Sequence, residues 1–172
     1  VLTESGGYFM SAVSTKDEPL PGPLDGIRVL DFSMFLAGPY CTRLMADLGA
    51  EIIKVEPPGG DFLRNAPPYR DGRSAYFAHM NCGKKSIVLN LKSKKGRQAI
   101  LELIHTVDVV LENFRPGVMA RLGLDYPTLS ALRPELVYCA ISGYGQIGPG
   151  SQRPAFAPII HAASGHDLIM MN

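Results

Sequence analysis

The chain has 172 residues, of which 46% are hydrophobic and 19% charged, and 17 basic against 16 acidic residues leave a net charge of +1. That length suffices for one globular domain with its own core, and the composition is that of a globular chain rather than a disordered one. The charge balance gives no electrostatic case for nucleic acid or an anionic membrane surface, and no apolar run approaches the roughly 18 residues of a membrane span.

Residues 1–22 are rich in Ser, Gly, Pro and charge without a sustained period, and read as a mobile leader. From residue 23 onward, short β-rich runs alternate with helical ones. Ile27–Phe32 is the first predicted strand. Gly38-Pro39 then opens a helix, with proline where its missing N–H costs nothing. Cys41, Leu44, Met45 and Leu48 follow at i, i+3, i+4 and i+7 and predict one apolar face; Gly49 is the stop signal. Glu51–Glu56 is the second strand, ended by Pro57-Pro-Gly-Gly60. Ser86–Asn90 reads as the third. The helix after it places Ala99, Ile100, Leu103, Ile104 and Val107 on one face. Val107–Glu112 and Glu135–Ser142 are the remaining strands, and Pro116 and Pro127 each open a short helix.

Strands alternating with helices imply βαβ units. The predicted fold is therefore α/β: a Rossmann-like, doubly wound parallel sheet with helices on both faces. Ligands in such sheets bind beyond the carboxyl ends of the strands. The loops to inspect are Ser33–Ala37, Pro57–Asp61, Asn90–Lys92, Asn113–Gly117 and Gly143–Gly148.

The loop Ser33–Gly38 is apolar for a connection that ordinarily runs through water. It suits either a ligand with a flat base and an anionic tail, or a plug for the core or a subunit contact. Asn113–Arg121 offers an aromatic ring at Phe114 and guanidinium groups at Arg115 and Arg121. These could meet phosphates by charge-assisted hydrogen bonds, or the segment is a capped helix start with solvated arginines. Lys84-Lys85, and Lys92–Lys95 with Arg97, are either solvated basic runs or anion contacts near a strand end.

Several motifs point away from other chemistries. Gly143-Tyr-Gly-Gln-Ile-Gly148 has the letters of a dinucleotide fingerprint, but Pro149 and Pro154 prevent the helix that the fingerprint requires. Asp31 at a strand end reads as a carboxylate that accepts backbone or helix-cap hydrogen bonds. His161 lies in an apolar helical segment and reads as a core or interface histidine. No Gly-x-Ser-x-Gly is present. Cys41, Cys82 and Cys139 are far apart and form no C-x-x-C pair, which predicts reduced thiols in the cytoplasm and no metal site. The N-terminus lacks the order of a secretory signal.

Pro23–Phe32, Ala37-Gly-Pro39, Leu48–Glu56, Asn81–Ser86, Leu111–Gly117, Arg121-Leu-Gly123 and Ser142–Gln146 follow one another in an order and spacing that resemble the family III CoA-transferases (CaiB/BaiF type). That family includes formyl-CoA and carnitine CoA-transferases and the related α-methylacyl-CoA racemases. The resemblance covers Pro23 to about Gly165, so residues 23–172 would be the N-terminal CoA-binding domain of a longer enzyme. It implies transfer of CoA between an acyl-CoA and a carboxylic acid, with no metal, nucleic acid or membrane partner, in an intertwined cytoplasmic homodimer. Carried over by position, Met34, Phe35, Leu36, Ala37, Leu89, Asn113, Phe114, Val118 and Arg121 would line the coenzyme A site. Met34 and Leu36 stand where some transferases have polar residues, which implies a more apolar acyl end. The nucleophilic aspartate would follow Asn172, so no catalytic residue is expected within 1–172, and the fragment alone would be inactive. The alternatives are a racemase-type isomerase or a non-catalytic CoA-binding fragment. The racemase acid/base histidine would fall at Ala155-Phe156-Ala157, where Phe156 cannot move a proton; Gly165-His166-Asp167 comes ten residues late.

Overall fold

The computed structural model describes residues 21–171. Its main sheet has five parallel strands: β1 (Arg28–Asp31), β2 (Glu51–Glu56), β5 (Lys85–Val88), β6 (Val109–Glu112) and β7 (Val137–Ala140). Their spatial order is β5-β2-β1-β6-β7, with Leu30 in register with Ile53 on one side and Val110 on the other. The chain winds outward from β1 to β5, then returns to add β6 and β7 on the opposite side. The order reverses between β1 and β6, which is where such sheets open a binding crevice. β3 (Tyr69–Arg70) and β4 (Arg73–Ser74) form a small separate hairpin.

Helix α1 (Ala37–Asp47) joins β1 to β2, and α2 (Ala75–Asn81) precedes β5 and packs on α1. Helix α3 (Lys94–Leu103) leads into β6. The short α4 (Val118–Leu122) and α5 (Tyr126–Ser130) lie between β6 and β7. Beyond β7 come α6 (Ala157–Ser164) and α7 (His166–Met170).

Alternation along the strands builds one core on each side of the sheet. Leu30, Phe32, Val55 and Val110 pack with Ile100 of α3, Met119 of α4 and Leu129 of α5. Val29, Ile52 and Leu111 face the other way, toward Cys41 and Met45 of α1. Successive side chains on a strand point to opposite faces, so the consecutive apolar residues Val29-Leu30 of β1 and Val110-Leu111 of β6 are buried on both sides, as the parallel sheet requires.

Strand β2 forms over the predicted residues. β1, β6 and β7 lie within their predicted spans but are shorter, and β5 is shorter and begins one residue earlier. Single backbone hydrogen bonds, such as Phe32 N–H to the Leu111 carbonyl and Ile141 N–H to the Glu112 carbonyl, continue past the strand ends. Val107 is buried but lies beyond α3, after a 3₁₀ turn over Ile104–Thr106. The predicted stripe of α1 is divided. Gly38, Pro39 and Thr42 are the residues that bury, Cys41 and Met45 are half-buried, and Leu44 and Leu48 are 45% and 46% exposed. The small residues win because α1 begins hard against β1: a Cβ on Gly38 would come within 2.2 Å of Ser33 Cβ. A second correction concerns the core reading of His161. It is exposed on α6, 3.6 Å from Asp167, and its ring meets His166 edge-on at 4.7 Å. The hairpin, α2 and a 3₁₀ turn over Phe62–Asn65 were not legible from periodicity, because each is shorter than the windows periodicity needs. The predicted leader, residues 1–22, lies outside the described residues except for its last two.

Candidate functional site

At the carboxyl edge the loops after β1 and β6 are tied together. Asn113, immediately after β6, accepts the Met34 N–H on Oδ1 at 2.8 Å and donates from Nδ2 to the Met34 carbonyl at 2.7 Å. The next residue is also fixed, since Glu112 accepts the Phe114 N–H at 2.7 Å. Glu112 is buried, and burial pushes its carboxyl pKa up against the opposing effect of that N–H.

A buried ionic network lies beneath the loop after β1. Asp31 accepts from the Ser33 N–H at 2.8 Å, the Thr42 hydroxyl at 2.6 Å, Lys84 Nζ at 3.1 Å and the Ser33 hydroxyl. Lys54 Nζ donates to the Ser33 carbonyl and lies 2.8 Å from Asp61 Oδ2. Glu56 takes two hydrogen bonds from Arg64, at 2.6 Å each, and one each from the Ser86 hydroxyl and the Asp61 N–H. Burial works to raise the Glu56 pKa, yet these donors outweigh it and hold it at about 2. Burial pushes the Lys84 pKa down, and the Asp31 carboxylate opposes that. Asp31 accepts a backbone hydrogen bond, from the Ser33 N–H, as predicted, but it caps no helix, since α1 has no side-chain cap. The predicted solvated or anion-binding role of Lys84 is not found, since its ammonium is buried on Asp31.

Two clefts are lined by parts of the segment that follows β6. One, of about 340 Å³, opens between the start of α1 and the ends of β6 and β7. Ala37, Phe114, Pro116, Ile141 and Phe156 make its lining largely apolar, and Arg115 and Arg153 stand at it. α1 begins there with no side-chain cap on its first N–H groups. Ser142 Oγ is buried in the lining with no hydrogen-bond partner among the described residues. Gly143 is confined here because a Cβ would come within 1.9 Å of Ala155 Cβ. The second cleft, of about 570 Å³, brings Lys92, Lys94, Arg97 and Arg121 together with Leu91 and Leu122. It is a concave site with four cations, suited to phosphate.

Of the predicted site residues, Ala37, Asn113 and Phe114 line the first cleft and Arg121 the second. Val118 opens α4 and lines neither cleft. Met34 is half-buried, whereas Phe35 and Leu36 are about half exposed beside the first cleft. Leu89 packs against the core below the second. Arg97, Arg153 and Ser142 are absent from the predicted set. Arg97 is distant from Arg121 in sequence, and only the packing of α3 beside α4 unites them. Gly143–Gly148 remains a loop with no helix after it, as its prolines predicted.

A family model described as CoA-transferase family III matches residues 24–170. The chain belongs to CoA-transferase family III. An acetyl-CoA:oxalate CoA-transferase of Acetobacter aceti is 49% identical over 145 residues, covering 84% of this chain and 37% of the relative. A human succinyl-CoA:glutarate CoA-transferase is 45% identical, over 83% of this chain and 33% of its own length. Among solved structures, a CaiB/BaiF family protein from Brucella suis superimposes with a TM-score of 0.80 at 39% identity, over 84% of this chain and 40% of that one. The chain thus spans about a third of the length of the curated family III relatives it matches.

Proposed function

We propose that this chain is the N-terminal, CoA-binding part of an enzyme that transfers CoA between an acyl-CoA and a carboxylic acid. The observation that carries the reading is the pairing of the two clefts. A basic cleft at Arg121 suits the phosphates of coenzyme A, and an apolar cleft at Ala37 and Phe114 suits the pantetheine arm and the thioester. Residues 113–116, just before α4, line the first cleft, and Arg121 and Leu122 of α4 line the second. On this reading Phe114 and Val118 also contact the coenzyme, with Leu89 packed against the core beneath. Asn113 acts here by holding Met34, since both its polar atoms are already engaged.

The family's chemistry needs a carboxylate nucleophile. It attacks the acyl-CoA carbonyl and expels the CoA thiolate, leaving a mixed anhydride between the acyl group and the enzyme carboxyl. The thiolate then attacks the enzyme-side carbonyl, which releases the first acid and leaves an enzyme–CoA thioester. The incoming carboxylate attacks that thioester, and the expelled thiolate attacks the acyl side of the new anhydride, which releases the new acyl-CoA and frees the enzyme carboxylate. We assign that carboxylate to an aspartate outside residues 1–172. Three buried carboxylates are committed to cations, Asp31 to Lys84, Asp61 to Lys54 and Glu56 to Arg64, and the fourth, Glu112, accepts the Phe114 N–H. Residues 1–172 alone are therefore expected to bind CoA without turnover. The working enzyme is proposed to be a cytoplasmic homodimer. Exposed Phe156, Ile159, Ile169 and Met170 at the end of the chain support association, and three free cysteines support a reducing compartment. No helix among the described residues is long and apolar enough to cross a membrane.

The test is CoA exchange by the intact enzyme, followed by mass spectrometry of the acyl-CoA products from one acyl-CoA and a second, isotopically labelled acid. Labelled acyl-CoA is the expected product. Hydrolysis to free CoA, or racemisation without exchange, would overturn the reading.

A further inference from the structure

Two aromatic rings stand exposed at the carboxyl edge of β1 and β2. Phe35 is 48% and Phe62 63% exposed, with ring centroids 5.6 Å apart and planes tilted by 40°. Leu36, 51% exposed, continues this apolar strip to Ala37 and so to the first cleft.

The strip is held from behind. Phe35 has a φ of 64°, a left-handed conformation that a bulky residue keeps only when its surroundings impose it. Asp31 and Lys54 fix the N–H and carbonyl of Ser33, and Asn113 fixes both backbone groups of Met34. Phe62 opens a 3₁₀ turn that Asp61 caps through the Leu63 N–H, and Asp61 is bound in turn to Lys54 and Glu56. One buried network therefore sets both rings.

The same network uses up the nearby cations. Lys54 is paired with Asp61, Lys84 with Asp31, and Arg64 with Glu56, the Arg64 guanidinium also lying 3.9 Å from the centre of the Phe77 ring. A second carboxylate laid along this strip would lose water and meet none of these as a free partner, which is costly. An alkyl chain laid there would gain from leaving water.

We propose that Phe35, Leu36 and Phe62 form the wall that selects the acyl group, and that the exchanged acid is an apolar monocarboxylate rather than a short dicarboxylate. This rests on the CoA-transferase reading above. The thioester then sits at the Ala37 cleft, and the alkyl chain runs outward over the two rings.

The experiment is calorimetric titration of the intact enzyme with CoA, succinyl-CoA and octanoyl-CoA. Octanoyl-CoA is expected to bind about tenfold tighter than succinyl-CoA, the gain of burying a few methylenes. Phe62→Ala should remove about five- to tenfold of the octanoyl-CoA affinity and leave CoA affinity within about twofold, whereas Phe62→Leu keeps most of the preference. Phe62 is on the surface, so its replacement probes the ligand rather than the core. Equal or tighter binding of succinyl-CoA, or an equal loss for both acyl-CoAs in Phe62→Ala, overturns the proposal while the CoA site stands. Failure of CoA itself to bind removes both readings.

Discussion

The side-chain amide of Asn113 closes both backbone groups of Met34, taking the N–H at 2.8 Å and giving to the carbonyl at 2.7 Å. The two residues are 79 positions apart and lie on either side of the point where the strand order reverses. An amide is the one small side chain that donates and accepts at neighbouring atoms, so it can staple an open backbone segment as a β-partner would.

Replacing Asn113 should therefore loosen the loop that carries Phe35. Asn113→Ala leaves two half-buried backbone groups without their partner, at about 1–3 kcal/mol each if water does not replace it. Asn113→Asp keeps the acceptor but sets a carboxylate against the Met34 carbonyl, and is expected to cost at least as much. Urea unfolding of the intact enzyme measures both. Unchanged stability in both variants would show that the staple is dispensable.

Lys84 and Asp31 form a pair whose side chains are 1% and 0% exposed. Lys84→Met would leave Asp31 with its hydroxyl and N–H donors but no cation, a loss of roughly 3–5 kcal/mol by analogy with other broken buried pairs. Adding Asp31→Asn to Lys84→Met is expected to recover part of it, because the stranded charge is gone. A double variant no more stable than the single one would show that the network works through shape rather than charge.

Acid stability should depend on Glu56. Its folded pKa is about 2 against an ordinary 4.5, so the folded state holds its charged form more firmly than the unfolded chain does. The contribution is complete above pH 4.5 and is lost as pH falls from 4.5 toward 2. Glu56→Gln should be less stable than the parent at neutral pH, with the difference shrinking through that window. Glu112 works in the opposite direction. Its pKa is raised above 4.5 by burial, so its contribution declines as pH rises through and above 4.5. Glu112→Gln should flatten that upper part of the profile. Parallel unfolding series from pH 2 to 8 on the three proteins test both signs.

Arg121→Ala should weaken CoA about tenfold or more, since a charged hydrogen bond to phosphate contributes roughly 1.5–3 kcal/mol. The salt dependence of binding should flatten with it, because one screened cation has been removed. Calorimetry at two ionic strengths reads both effects, and unchanged affinity would take Arg121 out of the phosphate site.

Residues 1–172 expressed alone should self-associate. Ile169, Met170 and Met171 are 73–75% exposed at the end of the chain. Apolar area of that kind favours association. Light scattering that shows a stable monomer at high concentration would mean these side chains find cover within one chain.

The sequence by itself determined the layered α/β architecture. β1, β2 and β6 each carry consecutive β-branched or leucine residues that must be covered on both faces, and Gly-Pro signals separate them from the helices. It also carried the family, in motifs distributed from Pro23 to Gln146, and the predicted roles of Asp31 and the Gly143–Gly148 loop. Only the tertiary structure decided which charged residues were free. Lys54, Lys84 and Arg64 look alike on paper to Lys92 and Arg121, but the first three are spent on buried carboxylates while the last two line a cleft. The partners lie 7 to 53 residues apart, and no local pattern encodes a pairing that depends on which strand ends share an edge. The same reason hid the union of Arg97 with Arg121 and the staple from Asn113 to Met34. Local periodicity fixes what a segment prefers to bury, whereas the sheet order fixes which polar groups then meet.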